Sequence, residues 1–279
     1  GYNIEKMQQG AKKALSYYSE NFGPYPHQQF RIFEFPRYST FAQSFPNTVP
    51  FSEGIGFIAK VGEEDIDYPF FVTAHEVAHQ WWGHQIAPAG VEGAQFLSES
   101  LSEYSALMVM KHEKGADQMR KFLEHELDAY LSGRSQEDRQ ELPLMRVAGQ
   151  GYIAYRKGAL VLYALQDYIG EDKVNQALSR FLNQHKVQSD PYPVSKDLVQ
   201  EFSKVTPDSL QYLIKDLFKT ITLYDNRVQE AEYEATDDGQ YKVTMTVKSD
   251  KYRADSLGKQ KAVDLDDYVD VGVFAQSEG

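Results

Sequence analysis

Cysteine is absent from this 279-residue chain, so disulfides and thiolate metal sites are excluded. Any bound metal must then be held by imidazole and carboxylate, from the seven histidines and the acidic residues. Long apolar runs are missing too. The longest, Ala159 to Leu165, falls far short of the roughly 20 residues that a bilayer span needs. Basic side chains are in deficit, 29 against 41 acidic for a formal charge of -12, and they are scattered among acids. That distribution excludes a nucleic-acid surface and predicts no membrane contact by this stretch. No signal peptide is present, and the chain opens on Gly1-Tyr2-Asn3 rather than methionine. It reads as a soluble piece of a longer protein whose localisation is left open.

What is present is a globular composition, 42% hydrophobic and 13% aromatic, with length for one large domain or two. Apolar residues at Ile4, Met7, Ala11, Ala14, Leu15 and Tyr18 predict an amphipathic helix over 4–21, ended by Gly23-Pro24 and Pro26. Phe30 to Phe35, Tyr38 to Phe41 and Ile55 to Ala59 are short, aromatic or β-branched, and predict a small sheet. From Tyr68 to Phe218 the pattern is helical, with Gly115, Gly133 and Gly170 near helix ends and a further helix starting at Thr206-Pro207-Asp208. After Leu223, Arg227 to Ala235 and Tyr241 to Lys248 alternate across Asp-Asp-Gly-Gln and predict a β-hairpin. Val269 to Phe274 adds a strand-like segment. The expected class is α+β, mainly α, with a helical domain over 1–223 and a partial β-sandwich over 224–279.

The sharpest local pattern is His75-Glu76-Val77-Ala78-His79, inside a helix predicted to start near Asp67 with Pro69 in its first turn. Histidines four apart share a helix face, so both imidazoles can reach one ion. Zinc suits neutral imidazole, and Glu76 between them is placed to hold and deprotonate the metal's water. A catalytic zinc takes a third protein ligand. Glu99, near the start of the next helix (98–114) and after a loop with Pro88, Gly90 and Gly93, is the candidate. Glu103, one turn further on the same face, can hydrogen-bond a ligating histidine and fix its tautomer. The alternative for both glutamates is a solvated helix face.

His75 to Gly83, followed by Leu97-Ser98-Glu99-Ser100, resembles the gluzincin zinc aminopeptidases related to aminopeptidase N and leukotriene-A hydrolase. In that family eighteen residues separate the second histidine from the glutamate. Nineteen do so here, and strict spacing would fall on Ser98, which has no carboxylate. The Leu-Ser-Glu context keeps the assignment on Glu99, with the extra residue expected in the Gly/Pro-rich loop. Tyr155, ahead of Arg156-Lys157-Gly158, matches the family's tyrosine that donates to the oxyanion. No literal GAMEN is present. Pro50 to Ile58 lies in the corresponding place, and aligning it puts Glu53 at the position that binds the substrate's free amine.

The resemblance implies a thermolysin-like catalytic domain, one zinc ion per chain, peptide substrates and removal of amino-terminal residues. It also implies amino- and carboxy-terminal domains outside this stretch, and it is compatible with a membrane-anchored parent. The alternatives are a zinc endopeptidase or other hydrolase on the same scaffold, and a catalytically silent binding scaffold. His84 reads as a loop contact, His125-Glu126 as part of a surface helix, and His27, His112 and His185 as solvated. Trp81 and Trp82 read as core.

Overall fold

The computed structural model describes residues 2–62, 65–186 and 190–273. Helix α1 (Ile4–Asn21) buries Met7, Gly10, Ala11, Ala14 and Tyr18 along one stripe, while Ile4, expected on that stripe, is exposed. It crosses close to α2 (Tyr68–Ala78) at Gly10, where a Cβ would sit 2.7 Å from the Phe70 carbonyl oxygen. Tyr18 donates from its hydroxyl to the Ala74 carbonyl and locks the crossing. Helix α2 starts as expected. Asp67 caps it by accepting from the Phe70 amide, and Pro69 occupies the first turn.

Strands β1 (Arg31–Phe35) and β2 (Thr48–Ser52) pair in parallel, Phe33 opposite Pro50. On the other side of β2, residues 41–45 run antiparallel. The Ser52 amide donates to Phe41, the Gln43 amide donates to Pro50, and Phe45 and Thr48 exchange both bonds across a turn at Asn47, φ 54°. The missing Pro50 N–H therefore falls on the 41–45 side, and the ladder with β1 loses nothing. Two expected strands are corrected. Residues 38–41 are a turn, a bend and irregular chain, and 55–59 fold back in turns bonded to Ser52 and Glu53. Gly56 lies flush on the Phe51 ring, with a Cβ there only 2.6 Å from Phe51 Cε1. The chain folds over β2 instead of extending beside it.

Helix α3 (Leu101–Lys114) is the centre of the helical unit, with every residue from Leu101 to Met110 buried. A helix buried all round is normally apolar. Here Ser102, Glu103 and Ser105 are buried with it, which marks a polar cluster inside the core. Against it pack α1, α2, α4 (Ala116–Ser135) and α5 (Gly158–Ile169), while α6 (Glu171–His185) packs on α5 and α1, α7 (Ser195–Val205) on α6, and the short α8 (Gln211–Ile214) on α7. Three segments wind as π-turns: Phe96–Ser100, Tyr152–Lys157 and Lys215–Lys219. Trp81 and Trp82 are core residues, as expected, and donate to Gly23 and Ser105.

Contacts divide the chain into Gly1–Thr220 and Ile221–Gly279. The second unit is an antiparallel sheet of β3 (Ile221–Ala235), β4 (Tyr241–Ala254) and β5 (Gln260–Val263), in the order β3-β4-β5. Its hairpin turns at Thr236–Gln240, where Gly239 takes φ 77°. Residues 269–273 are not strand, and Phe274 lies outside the described residues. No described helix is long and apolar enough to cross a membrane.

Candidate metal centre

His75 and His79 lie one turn apart at the end of α2, and Glu99 comes in from the π-turn that leads into α3. The His75 and His79 Nε2 atoms are 3.1 Å apart, and Glu99 Oε2 is 3.5 Å from the first and 3.4 Å from the second. Donors arranged tetrahedrally at about 2.0–2.1 Å from a zinc ion stand roughly 3.3 Å from one another, so the triangle fits that ion. This is the one such group of His, Asp and Glu donors among the described residues. Two imidazole nitrogens so close, beside a carboxylate, are electron-rich and call for a cation between them.

The far nitrogens fix the rings. His79 Nδ1 lies 2.9 Å from the Trp82 carbonyl oxygen and 3.1 Å from Ser102 Oγ, so it carries the proton and leaves Nε2 for the ion. His75 Nδ1 faces Glu103 Oε1 at 3.4 Å, an ion-pair separation rather than an aligned hydrogen bond. Burial disfavours a charged His75, but Glu103, Glu99 and Glu76 outweigh it and raise its pKa to about 9. Burial likewise raises Glu103 to about 7 against the pull of His75. Glu99 is held well below the usual carboxylate range, since bonds from both histidines overcome its burial.

Glu76 is buried, and its Oε2 has no hydrogen-bond partner. Burial raises its pKa, opposed by the two histidines and by the Ser44 backbone amide. The Tyr155 ring stacks 6.0 Å from that of His75, the two planes 28° apart. Burial, then the charge of Glu99 and a hydrogen bond to it, push the phenol pKa well up, so Tyr155 is a proton donor at neutral pH. Glu53 is not part of this cluster. It stands half-buried just after β2, and its carboxylate accepts from the Arg37 backbone amide at 3.1 Å.

Several residues here escaped the sequence reading. Glu126 is not on a surface face: it is fully buried and pairs with Arg156 at 2.5 Å. Its neighbour His125 bonds the Tyr68 hydroxyl at 2.7 Å. Ser102 shares a helix face with Glu99, at a spacing of three, and that was readable. Gln80 falls within the His75-to-Gly83 motif, which assigns it no role, and Ser44 carries no motif. Of the remaining histidines, His84 is in an exposed loop as expected and His112 is exposed but pairs with Glu171. His27 and His185 are partly buried rather than solvated, His185 packing on Phe181.

A mainly helical unit with two histidines and a glutamate around one point, and a buried glutamate between the histidines, defines a zinc-type metal centre with an acid–base group beside it. Residues 6–220 match the family model described as the peptidase family M1 domain, and the chain belongs to that family. It is similar to Tricorn protease-interacting factor F2 of Thermoplasma acidophilum, at 24% identity over 63% of this chain and 24% of that protein. It is also similar to Probable aminopeptidase 1 of Saccharolobus solfataricus, at 24% identity over 90% of this chain and 34% of that one. The chain thus spans about a quarter to a third of the curated relatives it matches. The M1 zinc metallopeptidase of Deinococcus radiodurans shares the fold, with TM-score 0.54, 19% identity, and 74% of this chain and 42% of that chain covered. A mutant of it bound to a Tyr-Ser-Ala substrate superposes with TM-score 0.52 at 21% identity, covering 74% and 43%.

Proposed function

We propose that this chain is the thermolysin-like catalytic part of a zinc aminopeptidase, followed by the start of a β-sandwich domain over 224–279. The observation that carries the reading is the triangle of His75 Nε2, His79 Nε2 and Glu99 Oε2, with sides of 3.1 to 3.5 Å. These three residues hold the ion, and Glu103 orients His75. When bound, zinc supplies a Lewis acid and a water acidified toward neutral pH.

The chain's own groups do the rest. Glu76 takes the proton of the attacking water and hands it to the leaving amine, and the raised pKa of its buried carboxylate suits it to both transfers. Tyr155, kept protonated by burial and by Glu99, donates to the oxygen that becomes negative as the tetrahedral centre forms. The resemblance assigns the substrate's α-ammonium group to Glu53. The name of the Saccharolobus relative and the tripeptide held by the Deinococcus protein support peptide substrates cut at the amino end. The test is metal content and hydrolysis by the longest natural chain, with free and amino-acetylated forms of one peptide. One zinc per chain and cleavage of the free form alone are expected. Equal cleavage of both forms contradicts the exopeptidase reading.

A further inference from the structure

Gln80 directly follows His79 and is fully buried, at 0% exposure. A buried amide needs partners, and all three that its side chain finds lie on residues 44–47. Its Nε2 donates to Ser44 Oγ at 2.7 Å and to the Phe45 carbonyl at 2.9 Å, and its Oε1 accepts from the Asn47 amide at 2.8 Å. Ser44, also buried, passes the connection on. Its hydroxyl donates to the Glu76 backbone carbonyl at 2.9 Å. Glu76, Ser44 and Gln80 thus close a ring with the last turn of α2. Only a primary amide offers two donors and an acceptor in one plane of this length.

Resting on the reading of Glu76 as the base, we propose that Gln80 is a positioning residue: through Ser44 it clamps the antiparallel segment 41–45 onto α2 and sets where the Glu76 carboxylate points. A base that exchanges a proton with a bound water must be held to a fraction of an ångström. The Glu76 Oε2 atom has no hydrogen-bond partner, so the hold of Ser44 on the Glu76 backbone carbonyl is the tether the clamp provides. Segment 41–45 also covers the outer edge of β2. The same clamp therefore ties the sheet to the metal helix.

The experiment uses the longest natural chain. Gln80→Met keeps the side-chain length and removes all three bonds, while Ser44→Ala removes the hydroxyl alone. Zinc affinity by chelator competition and KM stay within about threefold of native in both, while kcat falls about 10- to 100-fold in Gln80→Met and about 3- to 10-fold in Ser44→Ala. In a Glu76→Asp background, whose base is already displaced, the same substitutions lower kcat by less than about twofold more. Equal losses in the two backgrounds, native kcat in both variants, or zinc loss in step with activity overturns the proposal. If Gln80→Met does not fold, the Ser44→Ala cycle decides by the same criteria. A Glu76→Asp protein with native kcat removes the base assignment itself and the clamp's role with it. A slow Glu76→Asp beside native Gln80 and Ser44 variants removes the clamp alone.

Discussion

Gly158 is pressed against Ser100, so that a Cβ at 158 would lie 2.5 Å from Ser100 Cβ, while the Ser100 hydroxyl donates to the Ala154 carbonyl at 2.5 Å. These contacts join two π-turns, one carrying Glu99 and the other Tyr155. Each π-turn takes an extra residue per turn and so re-aims the side chains on it, a device frequent at functional sites. Glycine in the first turn of α5 therefore serves close approach rather than flexibility.

Alanine at an exposed helix position normally stabilises by up to about 1 kcal/mol over glycine. Gly158→Ala is expected to do the reverse, costing about 1–3 kcal/mol by overpacking and lowering kcat as Tyr155 moves from Glu99. Urea unfolding and steady-state kinetics check both. A more stable, fully active variant contradicts the packing argument.

Glu99, not Ser98, is expected to bind the ion. Glu99→Ala should lose zinc in dialysis that leaves the native protein loaded, while Ser98→Ala keeps native affinity. Glu103→Gln is expected to weaken zinc about 10- to 100-fold, the usual cost of removing a group that orients a ligating histidine. Chelator competition measures all three.

Tyr155→Phe keeps the ring that stacks on His75 and removes the donor. The expected loss in kcat is about 10²- to 10³-fold, or roughly 3–4 kcal/mol, with zinc content unchanged. A loss in KM alone would move Tyr155 from transition-state stabilisation to substrate binding.

Lys157 is buried, and its Nζ lies 3.9 Å from Glu141 without a hydrogen-bond partner. Burial lowers its pKa from 10.5 to about 8, against the pull of Glu141. Between those two values the unfolded chain holds a proton that the folded chain has released, so stability rises with pH across that window. Below about pH 8 the folded state carries the full cost of the buried charge. The native chain should gain about 2 kcal/mol from pH 8 to 9.5 relative to Lys157→Met in urea unfolding. Parallel pH profiles would contradict this.

The sequence was most legible where a residue type is chemically obligatory. His75, Glu76 and His79 are named by their spacing on one helix, and Asp67 and Pro69 announce where that helix begins. Strand β2 was hidden because Pro50 argues against a paired strand, and only the two-sided pairing reveals that its missing donor is harmless. Glu126 was hidden because α4 looks polar and its partner Arg156 is 30 residues away in sequence. The extra residue between His79 and Glu99 was expected in the loop, and the chain also has a π-turn at Phe96–Ser100, one residue longer per turn than an α-helix. Gln80 sits in the motif after His79 but its role, like that of Ser44, was not readable, because what they do depends on which backbone groups the hairpin turns toward α2.

Glu76→Gln tests the central claim most directly. It changes one proton-accepting oxygen into an amide and leaves the three ion-holding side chains untouched. The longest natural chain carrying it should keep one zinc per chain by metal analysis while kcat for peptide hydrolysis falls about 10³-fold, near the middle of the range for a lost general base. Hydrolysis at the native rate by the zinc-loaded variant, or a native protein that binds no zinc, would contradict the account.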